Sequence, residues 1–122
     1  MTPDLPVRRR ILLAEDQGDL RHMLKLSLEL AGHEVFEAHD GPSAVRVAQD
    51  RQPDTALIDI GLPGCDGYEV ARQVRQCCGR AIRLVALTGH DTSEDRSRAT
   101  DAGFDTYLVK PVNPARLHAM LA

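Results

Sequence analysis

Chemically active side chains directly follow the short apolar segments of this sequence. They are three carboxylates, a hydroxyl and an ammonium: Glu15, Asp16, Asp59, Thr88 and Lys110. Two or three carboxylates brought within about 4 Å would repel each other by ~4 kcal/mol per pair at an effective dielectric of 20. Mg²⁺ offsets such repulsion, because it binds one or two carboxylates, keeps several waters and bridges to phosphate oxygens. The residue types therefore predict a magnesium site.

The ammonium and the hydroxyl extend this chemistry to a phosphate group. Lys110 supplies a compact positive charge, and Thr88 can donate a hydroxyl hydrogen bond to an anion. Asp59 is the best nucleophile because it ends the central apolar segment, whereas Glu15 and Asp16 form a flanking pair suited to hold the metal. A carboxylate nucleophile beside a divalent cation and a lysine is an arrangement for phosphoryl transfer, in which catalysis is mostly positioning and charge neutralisation.

Each of these residues also has an ordinary structural explanation when it is taken alone. An acidic pair often caps a helix, and a lysine or threonine after a strand is commonly a surface or turn residue. Their joint position after several separate apolar segments is what favours a functional site.

The apolar segments themselves predict buried β-strands. Four of them, residues 11–14, 56–58, 84–87 and 107–109, are too short for a helix and are flanked by polar or turn residues. A fifth, weaker strand is predicted at residues 34–38. Their continuous rather than alternating hydrophobicity is typical of a parallel sheet that is covered on both faces.

Segments of helical length separate the predicted strands. The first has apolar residues at three- and four-residue spacing and closes at Gly32: Leu20, Met23, Leu24, Leu28 and Ala31. Asp40 opens the second helix, Asp66 precedes the third, and Asn113 opens the fifth. The strand–helix alternation predicts an α/β fold with a doubly wound five-stranded parallel sheet and helices on both faces. Ligands of such sheets bind beyond the carboxyl ends of the strands.

The fourth helix, predicted at residues 92–102, differs from the others. Ala99 and Ala102 are its only apolar residues, whereas Thr92 and Asp95 form a good capping pair at its start. Burial of two alanines contributes about 2 kcal/mol at ~25 cal/mol per Å². We therefore expect this helix to be among the least stable elements.

Four segments of the chain together resemble the receiver domain of bacterial response regulators, the modules that are phosphorylated in two-component signalling. They are residues 11–16 (ILLAED), 59–67 (DIGLPGCDG), 86–89 (ALTG) and 110–111 (KP). The resemblance covers residues 9–122 and leaves residues 1–8 as an N-terminal extension. It implies a (βα)5 flavodoxin-like receiver fold and a signalling switch that catalyses only its own phosphoryl transfer and dephosphorylation.

The resemblance also implies a role for each residue of the acidic site. Asp59 would be the phosphoacceptor, Glu15, Asp16 and Asp59 would bind Mg²⁺, and the backbone carbonyl of Gly61 would complete the metal shell. Many family members have two aspartates where this chain has Glu15 and Asp16. The longer side chain of Glu15 leaves two alternatives, direct metal binding and binding through water.

The residues after the fourth and fifth strands would sense the phosphoryl group. By the same resemblance, Thr88 and Lys110 would contact it, and Tyr107 would be the switch aromatic. Gly89 matches a position where the family favours a small residue, and the peptide bond before Pro111 is expected to be cis.

The resemblance implies a histidine kinase or a histidine phosphotransfer domain as the phosphodonor. The fourth helix, fifth strand and fifth helix would form the partner surface or a homodimer interface. Residues 61–67 and 110–112 look slightly more like receivers attached to kinases, which favours a receiver excised from a hybrid sensor kinase over a stand-alone regulator.

Composition limits the remaining function classes. The net charge of -3 predicts solubility and gives no sign of direct nucleic-acid binding. No apolar segment approaches the ~20 residues that span a bilayer, and the N-terminus lacks the apolar core of a signal peptide. Three cysteines, an odd number, favour a reducing compartment, so we expect a cytoplasmic protein. The five histidines are expected at the surface or, for His90, in an exposed loop.

Three other interpretations of the sequence are alternatives to a receiver domain. A haloacid-dehalogenase-like Mg²⁺-dependent phosphatase needs a second acid two residues after its nucleophile, where this chain has Gly61. A flavodoxin-like mononucleotide carrier would offer hydroxyls and amides to a phosphate in its first loop, where residues 15–19 would repel one. A degenerate receiver that only binds protein is disfavoured because no expected site residue is missing.

Overall fold

Five strands alternate with five helices in the described part of the chain, residues 8–89 and 92–121 of a computed structural model. The strands are β1 (Arg10–Ala14), β2 (Glu34–Ala38), β3 (Thr55–Asp59), β4 (Arg83–Thr88) and β5 (Thr106–Val109). The helices are α1 (Gly18–Leu30), α2 (Gly41–Arg51), α3 (Gly67–Cys78), α4 (Ser93–Ala102) and α5 (Pro114–Leu121). The predicted alternation is confirmed, and each predicted strand is correct to within one residue at either end. Most of the predicted N-terminal extension, residues 1–7, lies outside the described residues.

The described strands form one parallel sheet in the order β2-β1-β3-β4-β5. β3 lies between β1 and β4, with Ala14 opposite Ile58 and Asp59 opposite Leu87. The strand order reverses between β1 and β3, and this is where sheets of this type bind their ligands. Asp59 ends β3 at this position.

Helices cover both faces of the sheet, as predicted. Alternate residues of β1 enter opposite cores, with Leu12 on one side and Leu13 on the other. The first core also receives buried residues of α2, α3 and α4, and the second receives those of α1 and α5. Strands that are buried on both faces explain why the apolar segments are continuous.

Capping side chains form the predicted helix starts at Asp40, Asp66, Thr92 and Asn113. Asp40 accepts a hydrogen bond from the backbone N–H of Ser43 at 2.7 Å. Thr92 accepts one from the N–H of Asp95 at 3.1 Å. At the end of α1, Gly32 has φ +96°, a conformation that residues with a Cβ rarely adopt.

Arginine–aromatic contacts supplement the small apolar face of α4. The two predicted alanines are its only buried residues. In addition, the guanidinium of Arg98 lies 4.2 Å from the ring centre of Tyr68, and that of Arg96 lies 5.4 Å from the ring centre of Tyr107. These contacts therefore contribute to holding α4 against α3 and β5.

The buried face of α1 is narrower than its sequence pattern predicted. Leu24 and Leu28 are buried and Leu20 is half-buried, but Met23 is 56% exposed and Ala31 lies beyond the last helical turn. Met23 precedes Leu24 by one residue, which turns it about 100° away from the line that joins the two buried leucines. Met23 therefore follows the apolar spacing of the helix without entering the core.

Two histidines are half-buried and hydrogen-bonded, which corrects the prediction of surface positions. The Nδ1 atom of His33 accepts a hydrogen bond from the backbone N–H of Arg9 at 3.0 Å. The Nε2 atom of His118 lies 2.9 Å from the hydroxyl of Ser27. Burial, followed by the charges of His118 and Arg9, lowers the pKa of His33. The prediction for His90 lies outside the described residues.

The helices of the described ranges are short. α1 has 13 residues, whereas a bilayer span needs about 20. None of them combines the length and the hydrophobicity needed to cross a membrane.

Candidate functional site

The residues predicted to do chemistry lie at the carboxyl edge of the sheet. Glu15 follows β1, Asp59 ends β3, Thr88 ends β4 and Lys110 follows β5. These positions are adjacent because β3 is paired on either side with β1 and β4, and β5 is paired with β4. The topology therefore brings together side chains that are up to 95 residues apart in sequence.

Lys110 connects the two buried carboxylates of the site. Its Nζ atom lies 2.7 Å from Oε1 of Glu15 and 3.3 Å from Oδ2 of Asp59. The Glu15 side chain is fully buried, whereas the Lys110 side chain retains 25% of its exposure. The ammonium therefore offsets part of the repulsion that the sequence predicted between the acids.

The third carboxylate completes a cluster that fits a divalent cation. One oxygen from each of Glu15, Asp16 and Asp59 lies within 4.8 Å of the other two. Asp16 is exposed to solvent, and the other two residues are buried. An all-oxygen donor set that is open on one side fits Mg²⁺, which binds through one or two carboxylates and keeps water ligands.

Backbone amides orient the buried carboxylates. The N–H of Gly61 donates to Oδ1 of Asp59 at 3.1 Å, and the N–H of Gln17 donates to Oε2 of Glu15 at 3.3 Å. Each carboxylate thus uses one oxygen for a backbone amide and the other for Lys110. The resemblance assigned Gly61 a role through its carbonyl, and the hydrogen bond from its amide was not predicted.

The two buried carboxyl groups differ in their protonation. Burial, reinforced by the hydrogen bond with Asp59, raises the pKa of Glu15 from 4.5 to about 7, although Lys110 opposes this shift. Burial alone would also raise the pKa of Asp59, but the hydrogen bonds from Glu15 and Gly61 and the charge of Lys110 outweigh it and lower that pKa. Asp59 is therefore the one of the two carboxyl groups that stays ionised at neutral pH.

The lysine is charged throughout the physiological range. Burial alone would lower the pKa of Lys110, but the hydrogen bond to Glu15 and the charges of Asp59 and Glu15 outweigh it and raise that pKa. Its peptide bond to Pro111 is cis, as the resemblance implied.

Thr88 and Tyr107 line a common cavity between β4, β5 and α4. Thr88 is buried and Tyr107 is half-buried. The cavity has a volume of about 10 Å³ and is also lined by Arg96 and Ala99. This is room for about one water molecule, so the tyrosine ring can advance further only if a neighbouring side chain moves.

Gly67 is a site residue that the sequence interpretation missed. A Cβ atom at this position would lie 2.6 Å from the carbonyl oxygen of Asp59 and 2.7 Å from Cα of Ile60. Its N–H donates to the carbonyl of Ile60 at 2.9 Å, which closes the loop that carries Gly61. The signal was present as glycine after the helix-capping Asp66, a common turn pair.

Comparison with known proteins gives a consistent result. The sequence profile described as the response regulator receiver domain matches residues 11–122. The phosphate regulon transcriptional regulatory protein PhoB of Pseudomonas aeruginosa is 35% identical over 116 residues, covering 94% of this chain and 51% of that protein. The response regulator MprA of Mycobacterium ulcerans is 38% identical over 102 residues, covering 84% of this chain and 44% of that protein. The chain thus spans about half the length of these curated relatives.

Solved structures with the same fold include whole receiver domains. The receiver domain of the sensor histidine kinase PA1611 from P. aeruginosa, with a magnesium ion coordinated in its active-site cleft, is 34% identical with a TM-score of 0.86. The match covers 94% of this chain and 95% of that one. The chemotaxis protein CheY4 of Vibrio cholerae is 30% identical with a TM-score of 0.88, covering 94% and 97% of the two chains.

Proposed function

This chain belongs to the response regulator receiver domain family, and we propose that Asp59 is the residue that accepts its phosphoryl group. A receiver domain is a signalling switch controlled by phosphorylation, so the question for this chain is which residues perform each step. The observation that carries the proposal is the contact of the Lys110 ammonium with both Glu15 and Asp59 at the carboxyl edge of the sheet.

The proposal includes a magnesium site formed by Glu15, Asp16 and Asp59 together with the backbone carbonyl of Gly61. The three clustered carboxylates support it, as does the magnesium ion in the receiver of PA1611, a 34% identical protein. When bound, the ion would neutralise negative charge on the acceptor carboxylate and on the incoming phosphoryl oxygens. Lys110 contacts Oε1 of Glu15. Glu15 would bind the ion directly if Lys110 leaves this oxygen, and through water if it does not.

The chain's own residues prepare Asp59 for the reaction. Gly61 holds Oδ1, while Oδ2 faces Lys110. In the transfer, a carboxylate oxygen of Asp59 forms a bond to phosphorus, and the donor's phosphorus–nitrogen bond breaks with its electron pair left on the histidine nitrogen. Lys110 then pairs with the new phosphoryl charge, which weakens its contact with Glu15.

The proposed response to phosphorylation passes through Thr88 and Tyr107. The hydroxyl of Thr88 would turn towards the phosphoryl oxygens and thereby enlarge the small cavity that both residues line. Tyr107 would then move into that space, which changes the surface formed by α4, β5 and α5. We propose this surface for partner binding or for a homodimer.

The proposed phosphodonor is a histidine kinase or a histidine phosphotransfer domain. We propose that residues 9–122 form the receiver domain and that residues 1–8 are an N-terminal extension. A cytoplasmic setting is supported by three free thiols, Cys65, Cys77 and Cys78, because thiols persist in reducing compartments. The proposed partners are proteins, and the proposal involves neither direct binding to nucleic acid nor insertion into a membrane.

The similarity to the PA1611 receiver supports a place in a hybrid sensor kinase. The similarity to PhoB and MprA supports a place in a response regulator instead. The sequence of the complete gene beyond residue 122 is the observation that separates the two. The haloacid-dehalogenase alternative has no support, since the relatives described above are response regulators and receivers.

The direct test is phosphorylation by a small phosphodonor. The wild-type chain should gain an acid-labile phosphoryl mass in the presence of Mg²⁺ and not in its absence, and Asp59→Asn should gain none. Asp50→Asn, which changes an exposed aspartate of α2, is the matched control and should behave as the wild type. A comparable acid-labile adduct on Asp59→Asn would identify another residue as the acceptor.

A further inference from the structure

Two adjacent cysteines end α3 with their thiols in contact. The Sγ atoms of Cys77 and Cys78 are 2.9 Å apart. Cys77 is exposed and Cys78 is half-buried. A pair of thiols at this separation presents two sulfur ligands to a single soft ion.

The pair opens onto a surface pocket of about 430 Å³. Besides the two cysteines, its walls include Gln52 and Pro53 after α2, Asp54 before β3 and Ile82 before β4. These residues lie at the amino ends of the strands, whereas Asp59 lies at the carboxyl edge. The pocket is therefore separate from the phosphorylation site and gives a ligand room beside the sulfurs.

An ordinary disulfide does not suit this geometry. Consecutive Cα atoms are about 3.8 Å apart, whereas disulfides normally join Cα atoms that are about 4.4–6.8 Å apart. Bonding the sulfurs to each other would therefore require α3 to distort at its last turn. An ion that bonds each sulfur separately, at about 2.3 Å for zinc, needs no bond between the two sulfurs and so does not impose this limit on the Cα atoms.

We propose that Cys77 and Cys78 form a chelating site for a thiophilic ion of the trivalent arsenic class. A structural zinc ion would need four ligands, and the described walls of the pocket offer no further cysteine or histidine. Asp54 already accepts hydrogen bonds from the N–H of Arg10 at 2.9 Å and from the hydroxyl of Thr55 at 2.9 Å. Trivalent arsenic needs only two thiolates and one small group.

The chemistry of the pair agrees with this assignment. In the condensation with arsenous acid, two thiols and As(OH)₃ give a dithiolate of As–OH and two waters, with no oxidant or reductant. Two S–H and two As–O bonds break, and two As–S bonds form as the thiol protons leave with hydroxide. Burial, reinforced by the hydrogen bond with Cys77, raises the pKa of Cys78 to about 11. Cys78 is therefore protonated at neutral pH, and its proton leaves with a hydroxide of As(OH)₃ as the As–S bond forms.

The test uses the full chain, reduced with a phosphine, and phenylarsine oxide as the probe. Native mass spectrometry should detect one arsenical per wild-type chain. Cys77→Ser and Cys78→Ala should each weaken binding by roughly 100-fold, because a chelate gains about 10²–10⁴ over single attachment. Cys65→Ser is the matched control, since Cys65 lies in the loop after β3, away from the pair, and it should bind as the wild type.

Competition with small thiols separates a chelate from single attachment. A dithiol should remove the arsenical under conditions in which a monothiol, added at twice the molar concentration so that the total thiol concentration is equal, does not. Asp59→Asn should bind as the wild type, so this result does not depend on the proposed phosphorylation. Cys77→Ser binding within tenfold of the wild type, or equal removal by monothiol and dithiol, would overturn the proposal.

Discussion

Replacing Lys110 with methionine should reveal how much the metal-free site depends on this ammonium. Methionine keeps an apolar stem of similar length and removes the charge together with the N–H donors of the ammonium. The ammonium lies 2.7 Å from Glu15 and 3.3 Å from Asp59, and the Glu15 side chain is fully buried. The variant therefore leaves two buried acids without their cation.

The magnitude follows from these distances. At an effective dielectric of 20, Coulomb's law gives about 6 kcal/mol for the first pair and about 5 kcal/mol for the second. Desolvation of the ions offsets much of this, and removing one partner of a buried pair typically costs about 3–5 kcal/mol. We expect a loss of about 3 kcal/mol near pH 8, a large share of the ~5–15 kcal/mol that stabilises a domain.

The stability lost in Lys110→Met should be smaller at acidic pH. The pKa of Glu15 is about 7 in the folded chain against an ordinary value of 4.5. The stability contributed by this raised pKa is present below 4.5 and disappears as the pH rises through 7. Near pH 5.5 the folded Glu15 is mostly protonated and needs no cation, so Lys110→Met should cost roughly half as much as at pH 8.

Urea unfolding without metal, followed by circular dichroism at both pH values, measures these losses. Saturating Mg²⁺ should restore part of the stability of Lys110→Met at pH 8, because the ion replaces the missing charge. Lys25→Met, which removes a more exposed contact with Glu37 at 3.3 Å, is the matched control and should change stability by less than ~1 kcal/mol. Equal stability of Lys110→Met and wild type at pH 8 without metal would refute the reasoning.

Three further outcomes are expected. Asp16→Asn should remove measurable Mg²⁺ binding in a titration, because it takes one charge from the carboxylate cluster, and wild-type affinity would contradict the metal assignment. Arg98→Ala should lower the urea-unfolding free energy by about 0.5–1 kcal/mol through its lost contact with Tyr68, and an unchanged value would show that the contact contributes nothing. Beryllofluoride with Mg²⁺ should change hydrogen exchange among the described amides of residues 88–109, and unchanged exchange in an occupied site would exclude α4 and β5 from signal output.

The fold could be predicted because its strongest signals are local. Strands that are buried on both faces are continuously apolar, and four segments show this pattern, whereas the partly exposed β2 gave the weaker fifth signal. The helix caps Asp40 and Thr92 act within three residues of themselves. The carboxyl-edge position of the site then followed from the parallel order alone.

The missed features depend on the folded chain. The hydrogen bond from Lys110 to Glu15 joins residues that are 95 positions apart, and the exclusion of a side chain at Gly67 arises from the backbone of Asp59. Periodicity places Met23 on an apolar stripe, but only the packed sheet determines how wide a stripe is covered. These contacts join residues that are separated in sequence, so they become visible only in the folded structure.

Lys110 also links charge at the site to the position of β5. Its backbone N–H donates to the carbonyl of Thr88 at 2.7 Å, while its side chain bonds Glu15. A new negative charge on Asp59 would draw the ammonium from Glu15, and any accompanying shift of the Lys110 backbone acts on the end of β4 through this hydrogen bond. Tyr107 lies three residues before Lys110 and shares a cavity with Thr88. We therefore expect the lysine and the threonine to shift together, and we expect α4, whose only buried residues are two alanines, to be the neighbouring element that shifts with them.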